Sequence, residues 1–293
     1  MQYSRFANKL TNSEHLCESH TCGESGYIQQ QSYRTNTVTP LRVTTQLTNM
    51  GEATPVVRPA KAAAAPHRAT IIDLTHPLVS SEVPACDGHP SYSAHCLSHL
   101  SRGDTSTVHS LTIGTHTGTH IDAPYHFVED GLTVDKVDLS LLTAVPAVVA
   151  DLRSKKAGER IVWEDIAAYE SRLGEGVAFL LCTGWSRHWT KSAYGAHPFL
   201  DVEAARKIIA TGVRVIGVDT MSPDEIVEGQ DMGRVHKVVL GNGGILVENM
   251  NGLEKLLEDG QEGRLRVSLL PLRLVDCDGS PIRAVAWTED MVG

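Results

Sequence analysis

Long apolar runs are missing from this chain of 293 residues. No stretch of about 18 consecutive apolar residues occurs, so no helix can cross a bilayer and no membrane partner is expected. A basic excess is missing as well. The formal charge is −9 and the isoelectric point near 5.8, whereas a nucleic-acid or anionic-lipid partner calls for a concentrated basic face. Cysteine is sparse: Cys17, Cys22, Cys86, Cys96, Cys182 and Cys277 lack the density and short spacings of a secreted disulfide scaffold, so reduced thiols and a cytoplasmic location are expected. Cys17 and Cys22 with His15 and His20 could form half a zinc knuckle, but no second ligand pair follows at finger-like spacing. A Gly-x-Ser-x-Gly nucleophile elbow is absent, which removes the serine-hydrolase route. Gly241-Asn-Gly-Gly244 lacks the Lys-Ser/Thr of a phosphate loop and reads as a turn before Ile245-Leu-Val.

What is present divides the chain in two. Residues 1–68 are rich in Ser, Thr, Gln, Asn and Ala, lack apolar periodicity and end in the low-complexity stretch Pro59–Pro66, so a disordered N-terminal extension is expected. Met1–Ser13 has no apolar core for a secretory peptide, and Glu14, Glu18 and Glu24 disfavour a transit peptide; Met50 could be a second start. From residue 69 to 293 short apolar runs bounded by Gly, Pro and Asp read as buried strands: 70–74, 147–152, 177–181, 213–218 and 266–270. Helices are expected over 163–172, over 201–210 with Asp201 as cap and Gly212 as stop, and in a shorter piece at 253–257. Strands outnumber helices, which predicts a strand-rich α/β or α+β single domain.

The residues richest in chemistry lie between 116 and 126. His116, Gly118, His120, Asp122, Pro124 and His126 occupy even positions, and Thr117, Thr119 and Ile121 fall between them. That period of two in β-branched residues predicts a strand whose one face gathers imidazoles and a carboxylate; Gly118 and Pro124 argue against a helix. A straight strand would set His116 and Asp122 about 20 Å apart, too far to share an ion. The segment must therefore bend, and Gly118 and Pro124 are the residues that permit it. Burying three histidines and an aspartate without a cation would leave several polar groups unpaired, so a divalent metal is expected. With no cysteine in the cluster, a closed structural zinc site is disfavoured, and zinc, manganese or iron suits the donors.

The segment His116-x-Gly118-Thr119-His120-x-Asp122-Ala-Pro124-x-His126 resembles the signature of the cyclase-like metal-dependent hydrolases, which include kynurenine formamidase and isatin hydrolase. Asp73-Leu-Thr-His-Pro-Leu78, Thr183-Gly-Trp185, Gly217-Val-Asp219-Thr-x-Ser222, Glu248-Asn-x-x-Gly252 and Leu270-Pro-Leu-x-Leu274 extend the likeness over residues 70–288. The resemblance implies a swivelling β/β/α fold, usually dimeric or larger. It also implies one or two zinc or manganese ions held by His116, His120, Asp122, His236 and Glu248. His126 corresponds to the acid–base residue, the lesser alternative being a further ligand or a hydrogen-bond partner of Asp122. His236, on its own sequence context, would be read as a surface residue.

Such a metal would polarise a carbonyl and acidify water, and His126 would shuttle the proton. Tyr125 and Trp185 could line an aromatic substrate pocket or be core; Phe127 reads as core. Asp219 could be functional or could cap the following turn through Thr220 and Ser222. The expected activity is hydrolysis of a C–N amide bond in a small molecule, with N-formylkynurenine first. Opening of a cyclic amide or lactone is the alternative within the family, and a non-catalytic metal-binding protein the alternative outside it. Val83-Pro-Ala-Cys-Asp-Gly-His-Pro90 departs from the Trp-Pro-Gly-Asp run of kynurenine formamidases.

Overall fold

The computed structural model describes residues 70–85, 88–227, 233–257 and 264–289, all within one compact unit spanning 62–293. The expectation of disorder over 1–68 and the half-knuckle at Cys17 and Cys22 lie outside the described residues. Among the described residues thirteen strands run in chain order: β1 (Ile72–Asp73), β2 (Ser93–Ser98), β3 (Val108–Thr112), β4 (His120–Asp122), β5 (Val145–Asp151), β6 (Arg160–Ile161), β7 (Ala178–Cys182), β8 (Phe199–Leu200), β9 (Val215–Val218), β10 (Ile245–Glu248), β11 (Leu265–Ser268), β12 (Gly279–Pro281) and β13 (Val285–Thr288). Three α-helices accompany them: α1 (Trp163–Ile166), α2 (Val202–Ala210) and α3 (Arg234–Gly241). The strand-rich α/β expectation holds.

Nine strands form one sheet in the order β1-β13-β11-β5-β7-β9-β10-β4-β12. Its centre, β5-β7-β9-β10, is parallel, and β4 joins β10 antiparallel. β7, β9 and β10 are buried along their whole length, which is why Phe179-Leu-Leu and Ile245-Leu-Val read as continuous apolar runs rather than alternating ones. Two apolar clusters cover the two faces. One contains Leu74, Ile121, Leu180, Val247, Met250 and Val267; the other contains Phe179, Leu181, Ile208, Ile216, Val239 and Leu246. Alternation along β10 sends Leu246 to one cluster and Val247 to the other.

α2 begins where Asp201 accepts hydrogen bonds from the amides of Glu203 and Ala204, and buries Ala204, Ala205, Ile208 and Ile209 against the second cluster. The helix expected over 163–172 is α-helical only to Ile166 and continues as a 3-10 helix to Arg172. The piece at 253–257 is a 3-10 helix over Leu253–Leu256. Several elements have no counterpart in the sequence reading, among them the hairpin of β2 and β3, helix α3, and the short strands β6, β8 and β12.

Candidate metal centre

The strand expected over 116–126 contracts to three residues. Gly118 adopts φ 65°, a left-handed conformation open to glycine, and a Cβ there would come 2.5 Å from Leu78 Cδ2. After β4, Pro124 opens a 3-10 turn over Pro124–His126. The two residues expected to bend the segment therefore bracket its bends, and His116, His120, Asp122 and His126 curl around one region.

Register then supplies the fourth side. β10 pairs with β4 so that Glu248 faces His120 and Leu246 faces Asp122, while β12 sets Gly279 against Asp122. A Cβ at Gly279 would lie 2.6 Å from the Ile121 carbonyl oxygen and 2.9 Å from His116 Cε1, so only glycine lets β12 and His116 approach this closely. The fifth residue arrives on the first turn of α3: His236 is only 6% exposed, which corrects its reading as a surface residue. No sequence-local signal could reveal this, because the α3 amides of Val235 and His236 are capped by Asp224, more than ten positions earlier.

Asp122 is the hinge of the cluster. Its Oδ1 lies 2.7 Å from His116 Nδ1 and 3.2 Å from His120 Nε2, and its Oδ2 lies 3.5 Å from His236 Nε2. Glu248 completes the ring, with Oε2 3.4 Å from His120 Nε2 and Oε1 3.1 Å from His236 Nε2. Among the described residues three donor groups result, and within each the donor atoms lie within 4.8 Å of one another: His116/His120/Asp122 and Asp122/His236/Glu248, which share Asp122, and the less buried His116/His126/Asp278 beside them. The remaining nitrogen of each imidazole is tied elsewhere: His120 Nδ1 donates to the Gly118 carbonyl at 2.8 Å, His236 Nδ1 to Asp224 Oδ2 at 2.6 Å, and His116 Nε2 to Asp278 Oδ2 at 2.7 Å. Such outer ties fix tautomer and ring orientation at metal sites.

The donor set fits a cation. His120 Nε2, Asp122 Oδ2 and Glu248 Oε1 are buried and have no hydrogen-bond partner. Lone pairs converging in a dry site repel one another unless a proton or a cation stands between them. Without a cation, protons take that place. Burial pushes the His116 imidazole down, but its hydrogen bonds to Asp122 and Asp278 outweigh this and raise it to about 10; against the same burial, His120 is raised by Asp122 and Glu248, and His236 by Asp122, Asp224 and Glu248. Asp122, although buried, is held well below the usual carboxylate range by the surrounding imidazoles.

A cavity of about 440 Å³ opens onto this cluster, walled by Pro84, Ala85, His89, Phe127, Met221 and Ile226. His126 lines it as well, its ring 4.0 Å from that of His116 and its Nδ1 3.1 Å from Asp278 Oδ2. Phe127, read as core, stands in the cavity wall with its ring 4.7 Å from that of His236. Tyr125 and Trp185 do not line it. The 3-10 turn after Pro124 rotates Tyr125 outward to 42% exposure, and the Trp185 indole is buried, donating to the Tyr194 carbonyl at 3.0 Å. Asp219 caps no following turn: it accepts hydrogen bonds from the Thr183 amide, the Thr183 hydroxyl and the Gly184 amide, clamping the end of β7 to β9. Three site residues were assigned no role in the sequence reading: Asp224, Asp278 and His89. Asp278-Gly-Ser-Pro281 gives only a turn signal, and His89 sits in the stretch noted as a departure from relatives.

A mixed, strand-rich sheet that gathers three histidines and two carboxylates beneath an apolar cavity defines the class of metal-dependent hydrolases. The chain belongs to the cyclase family: the family model described as "Putative cyclase" matches residues 72–225. It is 30% identical over 214 residues to a kynurenine formamidase of Bacillus cytotoxicus, covering 73% of this chain and 95% of that protein. A structure described as a predicted metal-dependent hydrolase from Bacillus stearothermophilus superposes with TM-score 0.59 at 26% identity, covering 76% of this chain and all of that one. Isatin hydrolase A from Labrenzia aggregata shares the fold at TM-score 0.66 and 24% identity, covering 75% of this chain and 94% of that one.

Proposed function

We infer that the chain is a divalent-metal-dependent hydrolase cleaving a C–N amide bond of a small carbonyl compound, with N-formylkynurenine as the first substrate to test. The observation that carries this reading is the pair of donor groups sharing Asp122, with three buried, unpartnered donor atoms at the floor of an apolar cavity. The 30% identity to a protein named kynurenine formamidase supports the substrate. The catalytic unit is residues 69–293. His116, His120, Asp122, His236 and Glu248 hold one or two zinc or manganese ions. A divalent cation there supplies Lewis acidity toward a carbonyl and acidifies water near neutral pH.

The chain's own groups do the rest. His126 takes the proton released as a water oxygen bonds to the formyl carbon, and returns it to the nitrogen as the C–N bond breaks, leaving formate and an amine. Phe127, Met221 and Ile226 exclude bulk water and face the apolar part of the substrate. A second reading, opening of a cyclic amide or lactone, is favoured by the cavity wall. Among the described residues that line it there is no lysine or arginine to meet a substrate carboxylate, so a neutral ring suits it.

A cytoplasmic location is supported by the free thiols of Cys96, Cys182 and Cys277. Self-association as a homodimer or larger is supported by the β2–β3 hairpin, which exposes Leu97 and Leu100 at 64% and Leu111 at 57%. Sedimentation that returns only monomer at micromolar concentration would sink that part.

The test is metal content and hydrolysis of N-formylkynurenine and isatin by the purified protein beside Asp122→Ala. The expected wild type carries one or two ions and turns over one of the two compounds. The variant loses the ion and more activity than the roughly 10–100-fold that outer-shell changes cost. Absence of any bound divalent ion in the wild type overturns the reading.

A further inference from the structure

The three imidazoles of the centre are tied unequally. Gly118 holds His120 alone and Asp224 holds His236 alone, but the carboxylate that holds His116 has a second client: Asp278 Oδ2 lies 2.7 Å from His116 Nε2 and 3.1 Å from His126 Nδ1. A carboxylate oxygen only accepts, so both of those ring nitrogens donate. With Nε2 held by Asp278, Nδ1, which donates to Asp122 Oδ1 at 2.7 Å in the cation-free protein, is the nitrogen a cation would take in exchange for that proton. His126 carries its hydrogen on Nδ1 and keeps Nε2 as its basic nitrogen. The sheet fixes the position of Asp278 relative to these rings: its carbonyl accepts from the Ala123 amide at 2.9 Å, and the next residue, Gly279, pairs with Asp122 across β12 and β4.

We propose that Asp278 is a positioning residue shared by the metal centre and the proton shuttle, holding His116 as an Nδ1 ligand and His126 with Nε2 turned to the cavity. It rests on the hydrolase reading above. One carboxylate then sets the spacing between the group that moves protons and the ring that holds the ion, and the 4.0 Å approach of the two imidazoles is its geometric signature. Its loss should disturb both functions at once, whereas loss of Asp224 should disturb the metal alone.

The experiment compares wild type, Asp278→Ala, the isosteric Asp278→Asn, His126→Ala and the double Asp278→Ala/His126→Ala, all in the full chain. Zinc is titrated into chelator-stripped protein against a chromophoric chelator. Nitrogen-15 imidazole spectra of the zinc-loaded protein report the His126 tautomer. The constants kcat and KM are measured at saturating zinc on whichever of N-formylkynurenine and isatin the wild type hydrolyses. Asp278→Ala is expected to weaken zinc binding by about 10–100-fold. It should also abolish the Nδ1–H tautomer of His126 and lower kcat by about 100-fold with KM little changed. The double variant is expected to be no slower than His126→Ala, because Asp278 acts on the proton through that ring. Asp278→Asn, which keeps one acceptor oxygen and the side-chain shape, should fall between. Wild-type zinc affinity and His126 tautomer in Asp278→Ala overturn the proposal, as does a double variant whose loss is the product of the two singles. Should wild type hydrolyse neither compound, the substrate reading fails while the zinc and imidazole measurements still decide the role of Asp278.

Discussion

At the scale of single residues, the centre depends on carboxylates that touch no substrate. Asp224 accepts from the backbone amides of Val235 and His236 and from His236 Nδ1, so one side chain both starts α3 and aims its histidine. Asp224→Ala is expected to weaken zinc binding by about 10–100-fold and to remove a helix cap contributing about 1 kcal/mol. Zinc titration paired with thermal unfolding checks both, and unchanged zinc affinity would refute the orienting role. The sequence exposed the residues of this centre unevenly. His116, His120 and Asp122 are legible because they share a period-two stretch of eleven residues with His126. His236 and Glu248 were reachable only through the family resemblance, and Asp224 and Asp278 not at all, because what makes them members is proximity across the sheet and not spacing along the chain.

At the scale of elements, local signals predicted what is locally determined. α2 has its cap, its apolar spacing and its stop within a dozen positions, and it forms where expected. α3 has Gly233 at its N-cap, no side-chain cap from that residue, and a capping carboxylate from a preceding loop, so its amphipathic turn carried no start signal. β2 and β3, reading Ser-Ala-His-Cys-Leu-Ser and Val-His-Ser-Leu-Thr, lack a buried face and hence an apolar alternation to find. The segment carrying the ligands was mistaken in extent but not in shape: a strand of three residues between two bends replaces a long curved one. Gly118→Ala tests the first bend. A left-handed φ at a residue with a Cβ costs about 1–3 kcal/mol, and the new atom also meets Leu78. A drop in melting temperature of about 2–4 °C per kcal/mol, with loss of zinc affinity as His116 shifts, is expected; a variant as stable and as tight as wild type would contradict the strained turn.

At the scale of the whole molecule, the centre couples folding to protons and metal. In the cation-free protein the raised His116 holds a proton that stabilises the fold fully below the ordinary histidine value of 6.5, a contribution lost as pH rises through about 10. A bound cation replaces that proton, so metal uptake releases protons and its apparent affinity rises with pH. The melting temperature of zinc-loaded protein minus that of stripped protein is therefore expected to widen from pH 6.5 to 9. Calorimetry of the two forms at several pH values measures it, and a difference that narrows with pH would contradict the proton-for-metal exchange.

Ligands and cavity wall occupy different kinds of chain. His120, Asp122 and Glu248 stand on adjacent paired strands in the interior, whereas Pro84, Ala85, His89, Met221 and Ile226 project from connecting segments. Substitutions in those segments leave the strands that carry these ligands in place, so selectivity can be changed apart from the reaction. A designer seeking a new substrate on this frame would begin with those five wall positions.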